Sequence, residues 1–310
     1  MAKNKPPSIP IFIDPTSDFG FKKLFGEEAN KDLLIDFLNS MLPAHHQIAE
    51  LNFEKNDHQF DSPEDRRVIF DIYCKAVTGE YFIIEMQKSP QEHIIDRSIF
   101  YVSTSVTKQG VKGSEWQYNL KTVYFIGILN FEYDEDIFFW KKRKLLRNFA
   151  LRDEQGVVVS ERLQFKFLQL PFFKKKPHQL RTRFDKWCYF LQNLESLDHI
   201  PKILNEPIFM KALSAAQIEK MSPLQYTAYL MSRNAKMDYE LAMDYAKKKA
   251  AEKGWTEGLE EGIEKGMEKG MELSIEKLLI KNKLTVEEIA ETIEVPIEYV
   301  LKIKERLAES

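Results

Sequence analysis

Apolar residues change their spacing twice along the 310-residue chain, dividing it into a helical start, a strand-rich middle and a helical end. After a polar, proline-containing lead over residues 1–13, Asp18 precedes Phe19-x-Phe21-x-x-Leu24-Phe25. Asn30 then precedes Leu33-Leu34-x-x-Phe37-Leu38-x-x-Met41-Leu42. Both stretches follow the period of helices with one apolar face, and Pro43 ends the second. Ile48 to Phe60 supplies a first strand, and Asp61-Ser62-Pro63-Glu64-Asp65 a turn. Two strand-like runs follow, Val68 to Cys74 and Tyr81 to Gln87, rich in β-branched and aromatic residues. Ser89-Pro90 starts a helix from about Gln91 to Gln109. Beyond it, Thr122 to Leu129 is nearly all apolar, as expected of a central strand covered on both faces and parallel to a neighbour. Gly127 within it would let a helix approach closely. Strand-like pieces from Phe138 to Gln164 flank a turn at Asp153-Glu154-Gln155-Gly156, and Leu163-x-Phe165-x-Phe167 alternates before Pro171. The pattern over residues 14–171 predicts an α/β fold with a mixed sheet.

From Pro177 onward the spacing is helical. Trp187-x-x-Phe190-Leu191-x-x-Leu194 makes one apolar stripe, Ile208 to Asp244 holds more, and Ser222-Pro223 is a helix start. Gly254, Gly258, Gly262, Gly266 and Gly270 then recur every fourth residue among Glu and Lys. Each helical glycine costs about 1 kcal/mol relative to alanine. A weakly helical, extensible linker is therefore the more economical reading, with a close-packed dimer helix as the other. At the end, Thr285-Val286-Glu287-Glu288 is a capping box. Glu294-Val295-Pro296 turns the chain, and Ile297 to Leu307 forms a second helix. This pair resembles a helix-turn-helix half, yet its first helix is acidic, which suits protein docking or dimerisation as well as DNA reading.

Composition narrows the functional classes. The chain is 44% hydrophobic and 30% charged, enough for one substantial core and an appendage, and its net charge is −3. Contact with nucleic acid would need local basic patches. Lys141, Lys142, Arg143 and Lys144 with Arg147, and Lys174-Lys175-Lys176, are the densest of these, as solvated faces or as contacts to DNA phosphates. The two cysteines, Cys74 and Cys188, sit in apolar runs and give no disulfide framework or zinc site. No run of 18 apolar residues and no signal-peptide core appears, which predicts a cytoplasmic protein with no membrane association.

Chemistry concentrates in the two central strand-like runs. The loop Val77-Thr78-Gly79 between them has three residues and ends in glycine, as such hairpin loops require. Counting back from Thr78 sets Asp71 directly across from Glu85, whereas a two-residue turn would send the acids to opposite faces. Directly opposed side chains have Cβ atoms about 5 Å apart. Two half-buried carboxylates at that distance repel unless a cation sits between them, and hard oxygen ligands suit Mg²⁺ or Mn²⁺. The other reading is a pair of solvent-facing acids on an edge hairpin.

An acid on one strand, followed on the next by acid-x-Lys or acid-x-Gln, resembles the PD-(D/E)XK nuclease superfamily. Within it the chain resembles the bacterial Rpn-like recombination-promoting nuclease/transposase family. The likeness runs through Asp18-Phe19-Gly20-Phe21-Lys22-Lys23-Leu24-Phe25-Gly26, the Asn30–Leu42 helix, the hairpin, Arg97 and Tyr101, the strand Thr122–Phe131 and the glycine-punctuated tail. It implies a restriction-endonuclease-like mixed sheet flanked by helices and a metal-dependent DNA endonuclease linked to recombination or a mobile element. Asp71 and Glu85 would hold Mg²⁺ (or Mn²⁺) with the Met86 backbone carbonyl, and Gln87 would position the attacking water. Asp18 would be either a further carboxylate ligand or a helix N-cap. Arg97 and Tyr101, one turn apart, either pack together or present the arginine to a phosphate of the DNA. Phe70 precedes Asp71 where the superfamily has proline, and Gln87 replaces its usual lysine, so one positive charge is missing.

The expected organisation is a nuclease-like core over 14–176, a helical extension over 177–250, the Gly-Glu-Lys repeat over 251–273 and a small helix-turn-helix-like module over 274–310. The last two offer a route to a homo-oligomer. Two other functions remain open at this point: a catalytically degenerate DNA-binding protein, favoured by Gln87, and a protein-interaction module acting through its helical tail.

Overall fold

The computed structural model describes residues 10–58, 68–90, 92–110, 117–133 and 144–308. The expected turn at 61–65, Gln91, and the basic residues Lys141, Lys142 and Arg143 lie outside these. The chain divides into two compact units, the first ending at Ala235.

The first unit opens with the helices α1 (Asp18–Phe25) and α2 (Lys31–Asn39). The expected first strand is two short pieces, β1 (Leu51–Phe53) and β2 (Asp57–His58). The run read as one strand from Val68 to Cys74 is also two, β3 (Val68–Ile69) and β4 (Ile72–Ala76), with a break at Phe70 and Asp71. Side-chain alternation fails at that break, so Phe70 and Tyr73 bury on one face of the sheet and Ile72 on the other. Next come β5 (Tyr81–Gln87), α3 (Ile94–Thr107), β6 (Val123–Leu129), β7 (Leu146–Arg152) and β8 (Val158–Gln169).

Six strands form a mixed sheet in the order β1-β4-β5-β6-β8-β7, and β2 pairs with β3 apart from it. β5, β6 and β8 run parallel, with antiparallel partners on both sides. The helix α3 provides the crossover that a parallel β5–β6 pair needs. Every residue of β6 is buried, as its unbroken apolar run predicts. Gly127 admits aromatic rings, not a helix: an added Cβ would lie 3.0 Å from Phe167 and 3.1 Å from Phe125.

One face of the sheet packs on α1, α2, α4 (Arg183–Asn193) and α5 (Pro207–Ala216). Trp187 of α4 meets Phe25, Phe37 and Phe209, and its ring N–H donates to Asp36 at 2.6 Å. The stripe seen from Trp187 to Leu194 thus joins the same core as the sheet. The opposite face is covered by α3 over Tyr73, Ile83, Val123, Phe125 and Phe167.

The sixth helix, α6 (Pro223–Lys281), continues past Ala235 and includes the glycine repeat. The repeat is helical and exposed, and among the described residues nothing beyond the helix's own adjoining backbone lies within 4 Å of a Cβ placed on any of its five glycines. In the second unit the last turns of α6 pack with α7 (Val286–Ile293) and α8 (Ile297–Ala308) around Ile275, Ile289, Val300 and Ile303. Thr285 and Glu288 form the expected capping box. No described helix is long and apolar enough to cross a membrane.

Candidate functional site: two acids at the end of the central hairpin

The three-residue loop sets the register. Gly79 adopts φ 108°, and Ala76 N–H bonds Glu80 O at 2.8 Å across the loop. Ile72 therefore pairs with Ile84, and the next position brings Asp71 opposite Glu85, as the odd loop predicts. At that point the ladder gives way to side chains. Asp71 N–H donates to Glu85 Oε1 at 3.1 Å, and Met86 N–H donates to Asp71 Oδ2 at 2.9 Å. Each acid thus accepts a backbone N–H from the other's strand, and the break at Phe70–Asp71 frees the groups that do so.

Burial dominates the electrostatics. Glu85 is 2% exposed, and burial, then the Asp71 charge, pushes its carboxyl up to about 8 against the pull of Arg97, Asp71 N–H and Lys22. Asp71 is also raised, first by burial and further by Asp18, against Met86 N–H, Lys22 and Arg97. Beside them, Phe70 meets Tyr101 and Tyr73 at ring distances of 5.0 and 5.2 Å, adding apolar surroundings. Two acids that resist ionising although two cations are in range make an undercompensated oxygen site. A divalent cation with hard-oxygen preference fits that donor set.

The other expected residues divide. Gln87 is buried and its Nε2 donates to Glu85 Oε2 at 3.1 Å. Arg97 lies 3.4 Å from the same oxygen, donates from Nε to the Tyr101 hydroxyl at 2.7 Å, and covers the Tyr101 ring at 5.0 Å. The packing and charge readings of this pair therefore coexist. Asp18 does not cap α1: Ser17 does, accepting Gly20 N–H at 3.0 Å. Asp18 instead lies exposed in the first turn, 2.6 Å from Lys22. Lys144 is exposed, and its carbonyl accepts Gln169 Nε2 at 3.3 Å. In the second basic cluster Lys175 is committed to Asp185 at 2.7 Å, leaving Lys174 and Lys176 exposed.

Sequence reasoning missed Lys22, whose ammonium lies 3.9 Å from Asp71 Oδ1. A turn bolted to the strand ends aims it there. Asp14 Oδ1 accepts the N–H and hydroxyl of Thr16 at 2.9 and 2.7 Å, and Lys88, just past β5, pairs with Asp14. Asn130, just past β6, donates its N–H to Gln87 O at 2.8 Å and its side-chain amide to Thr16 Oγ1 at 3.3 Å. Gly20 permits the turn, since a Cβ there would sit 2.0 Å from Asp14 O. The one sequence signal was the four-residue spacing of Asp18 and Lys22, which puts both on one helix face beside the family's opening motif.

A family model described as PD-(D/E)XK nuclease family transposase matches residues 15–246, from the turn before α1 through the sheet and into α6. No curated protein and no solved structure gives a significant match.

Proposed function

The chain belongs to the PD-(D/E)XK nuclease family transposases, and from that premise we propose a cytoplasmic, divalent-metal-dependent DNA endonuclease centred on Asp71, Glu85 and Gln87. A nuclease-type hydrolase is what the family supports. The metal, the DNA substrate, internal cleavage and a link to recombination or a mobile element are the added content. The observation that carries it is the reciprocal engagement of two acids whose ionisation the fold opposes. Perturbed carboxyls of this kind cluster at catalytic sites.

Asp71 and Glu85 would hold Mg²⁺ or Mn²⁺, with the Met86 carbonyl on the strand edge from which Met86 N–H reaches Asp71. Bound there, the ion supplies neutralising charge at the scissile phosphate and a water of lowered pKa. Gln87 and Arg97 fix the Glu85 carboxylate, and Tyr101 holds Arg97 in turn. Gln87 carries no charge, so its part is to hold Glu85 and to hydrogen-bond the attacking water. Lys22 provides the positive charge that the usual lysine would have brought, facing the phosphate from α1. Asp18 is assigned to Lys22 first and to the metal second.

Lys141, Lys142, Arg143 and Lys144 would contact DNA phosphates without reading sequence. By the same reading, residues 14–176 are the nuclease core, 177–250 its helical extension, 251–273 a helical spacer and 274–310 a docking module able to form a homo-oligomer.

Plasmid nicking with Mg²⁺ or Mn²⁺, run on wild type and Asp71→Ala in parallel, tests the proposal. Metal-dependent nicking by wild type alone is expected. Equal nicking by both would move the chemistry elsewhere. DNA retention without nicking by either would support the second reading, a binder of the same fold, which the uncharged Gln87 favours.

A further inference from the structure

Between α2 and β1 the chain makes a short 3-10 turn, Ala44–His46, that brings two adjacent imidazoles together with ring centroids 4.4 Å apart. Glu161 of β8 reaches the same place, its Oε2 3.7 Å from His45 Nε2. One ligand atom from each of His45, His46 and Glu161 lies within 4.8 Å of the other two. From this cluster we propose a second metal site, selective for a borderline divalent ion such as Zn²⁺ and separate from the Asp71–Glu85 pair.

Three features beyond proximity support it. His46 is anchored: its Nδ1 shares a hydrogen bond with the hydroxyl of Tyr124, a side chain that is buried and stacked on Phe82. Ligating histidines almost always bind an outer partner through the second ring nitrogen, which fixes the tautomer and leaves the other nitrogen for the ion. With Nδ1–H donating to the Tyr124 hydroxyl, Nε2 is the nitrogen left for the ion. Glu161, next, sits in an irregularity of β8. Ala150 pairs with Gln164 and Leu151 with Ser160, so residues 161–163 have no residue of β7 opposite them. Bulges of this kind re-aim side chains out of the regular pleat. Finally, the two outer ligands can adjust, since the side chains of His45 and Glu161 are 61% and 56% exposed. A tetrahedral ion with bonds of about 2.0–2.2 Å needs ligand atoms closer together than they now lie. The anchored His46 would stay while His45 and Glu161 close by rotamer changes.

Two imidazoles and one carboxylate suit zinc and its neighbours, not Mg²⁺, which prefers an all-oxygen shell. Three protein ligands leave a fourth position for water or a further group. The location is distinct from the acid pair. Tyr124 and Phe82 belong to the sheet face that carries α1 and α2, whereas Glu85 alternates with Phe82 and Ile84 and so projects from the other face. Along β6, Tyr124 stands three residues, about 10 Å, before the position paired with Glu85. An ion here would tie the turn after α2 to the irregular part of β8.

The test is a Zn²⁺ titration of the metal-stripped full-length chain against a chromophoric chelator, repeated with Co²⁺ to read coordination geometry from its absorption. One equivalent of Zn²⁺ with tetrahedral-type Co²⁺ bands is expected. His45→Ala and Glu161→Gln, both at exposed positions, should each weaken binding by at least the roughly 10–100-fold that loss of an outer partner costs a metal site. Asp71→Asn should leave this equivalent in place, which separates it from ion held at the acid pair. Sub-stoichiometric uptake by wild type, or uptake by the His45 and Glu161 variants equal to wild type, would mean an adventitious ion only and overturn the proposal.

Discussion

Glu85 and Asp185 are both acids hidden from water, 2% and 4% exposed, and the fold treats them in opposite ways. Asp185 is the acidic member of the capping box that opens α4. Burial pushes its carboxyl up, but Lys175 and the N–H groups of Arg181 and Thr182 overcome that and hold it below the ordinary carboxylate range. Glu85 accepts bonds from Asp71 N–H, Gln87 and Arg97, yet burial, and then the Asp71 carboxylate beside it, leave its pKa raised. Stripping a satisfied buried acid from its partners costs stability, while an undercompensated pair of acids is the kind of perturbed group that clusters at functional sites. On the proposed function, the contrast separates a structural charge from a chemical one within one compact unit.

The sharpest way to break the contrast is Glu85→Gln. Plasmid cleavage should fall by more than roughly 100-fold, beyond what loss of an outer partner costs a metal site. The unfolding midpoint of the metal-free protein at neutral pH should lie at or above that of wild type, because the variant is spared the cost of keeping the buried Glu85 carboxyl protonated. A folded variant that cuts normally would place Glu85 in the same class as Asp185.

Asp185→Ala should do the reverse. It strips a cap and leaves two backbone N–H groups without their acceptor, so unfolding should cost about 1–3 kcal/mol less. Cleavage per folded molecule should not change, and a loss at temperatures where the variant is fully folded would contradict the distinction.

Lys22→Gln tests whether α1 supplies the charge that Gln87 lacks. Single-turnover cleavage should drop on the order of tenfold or more, with partial return in Lys22→Arg and no loss of fold. Equal rates for all three proteins would reduce Lys22 to a surface partner of Asp18.

A subtler test uses pH. The folded pKa of Glu85, about 8, lies above its ordinary 4.5, so between these values the folded chain keeps a proton that the unfolded chain has lost. The stability of the metal-free protein should therefore fall as pH rises through that window. Asp185 has the opposite sign, its contribution present above 3.8 and lost as pH falls through its lower folded value. Urea unfolding of wild type and Glu85→Gln from about pH 5 to about 8 should show wild type losing ground to the variant. Parallel curves would remove the linkage.

Removal of everything after Lys249 should have the smallest effect on chemistry. Saturating single-turnover rates should match full length, while DNA affinity or assembly weakens if the capped helices after Thr285 serve in docking. A lost saturating rate in a folded core would give the tail a part in the active site.

Much of the acid pair was legible locally. An odd loop ending in Gly79 fixes which residues face each other, because hairpin register follows from turn geometry a few residues away. The central strand β6 was legible for a similar reason: an unbroken apolar run has to be covered on both faces. The break at Phe70–Asp71 was not. Phe70 is an ordinary strand former and one Asp in a strand-like run marks no break by itself, so the kink shows only once Phe70 turns toward Tyr101, far along the chain.

Sequence by itself determined the α/β class, the register that sets Asp71 against Glu85 and the capping box that opens α7, all set by short-range spacing and turn geometry, while the family likeness came from the order of motifs. Tertiary structure alone decided that Lys22 and Arg97 converge on the pair and that Trp187 shares the sheet's core. It alone also gathered His45, His46 and Glu161. These meetings join residues up to more than a hundred positions apart. No periodicity encodes them, because they depend on where whole helices settle once their apolar faces are buried.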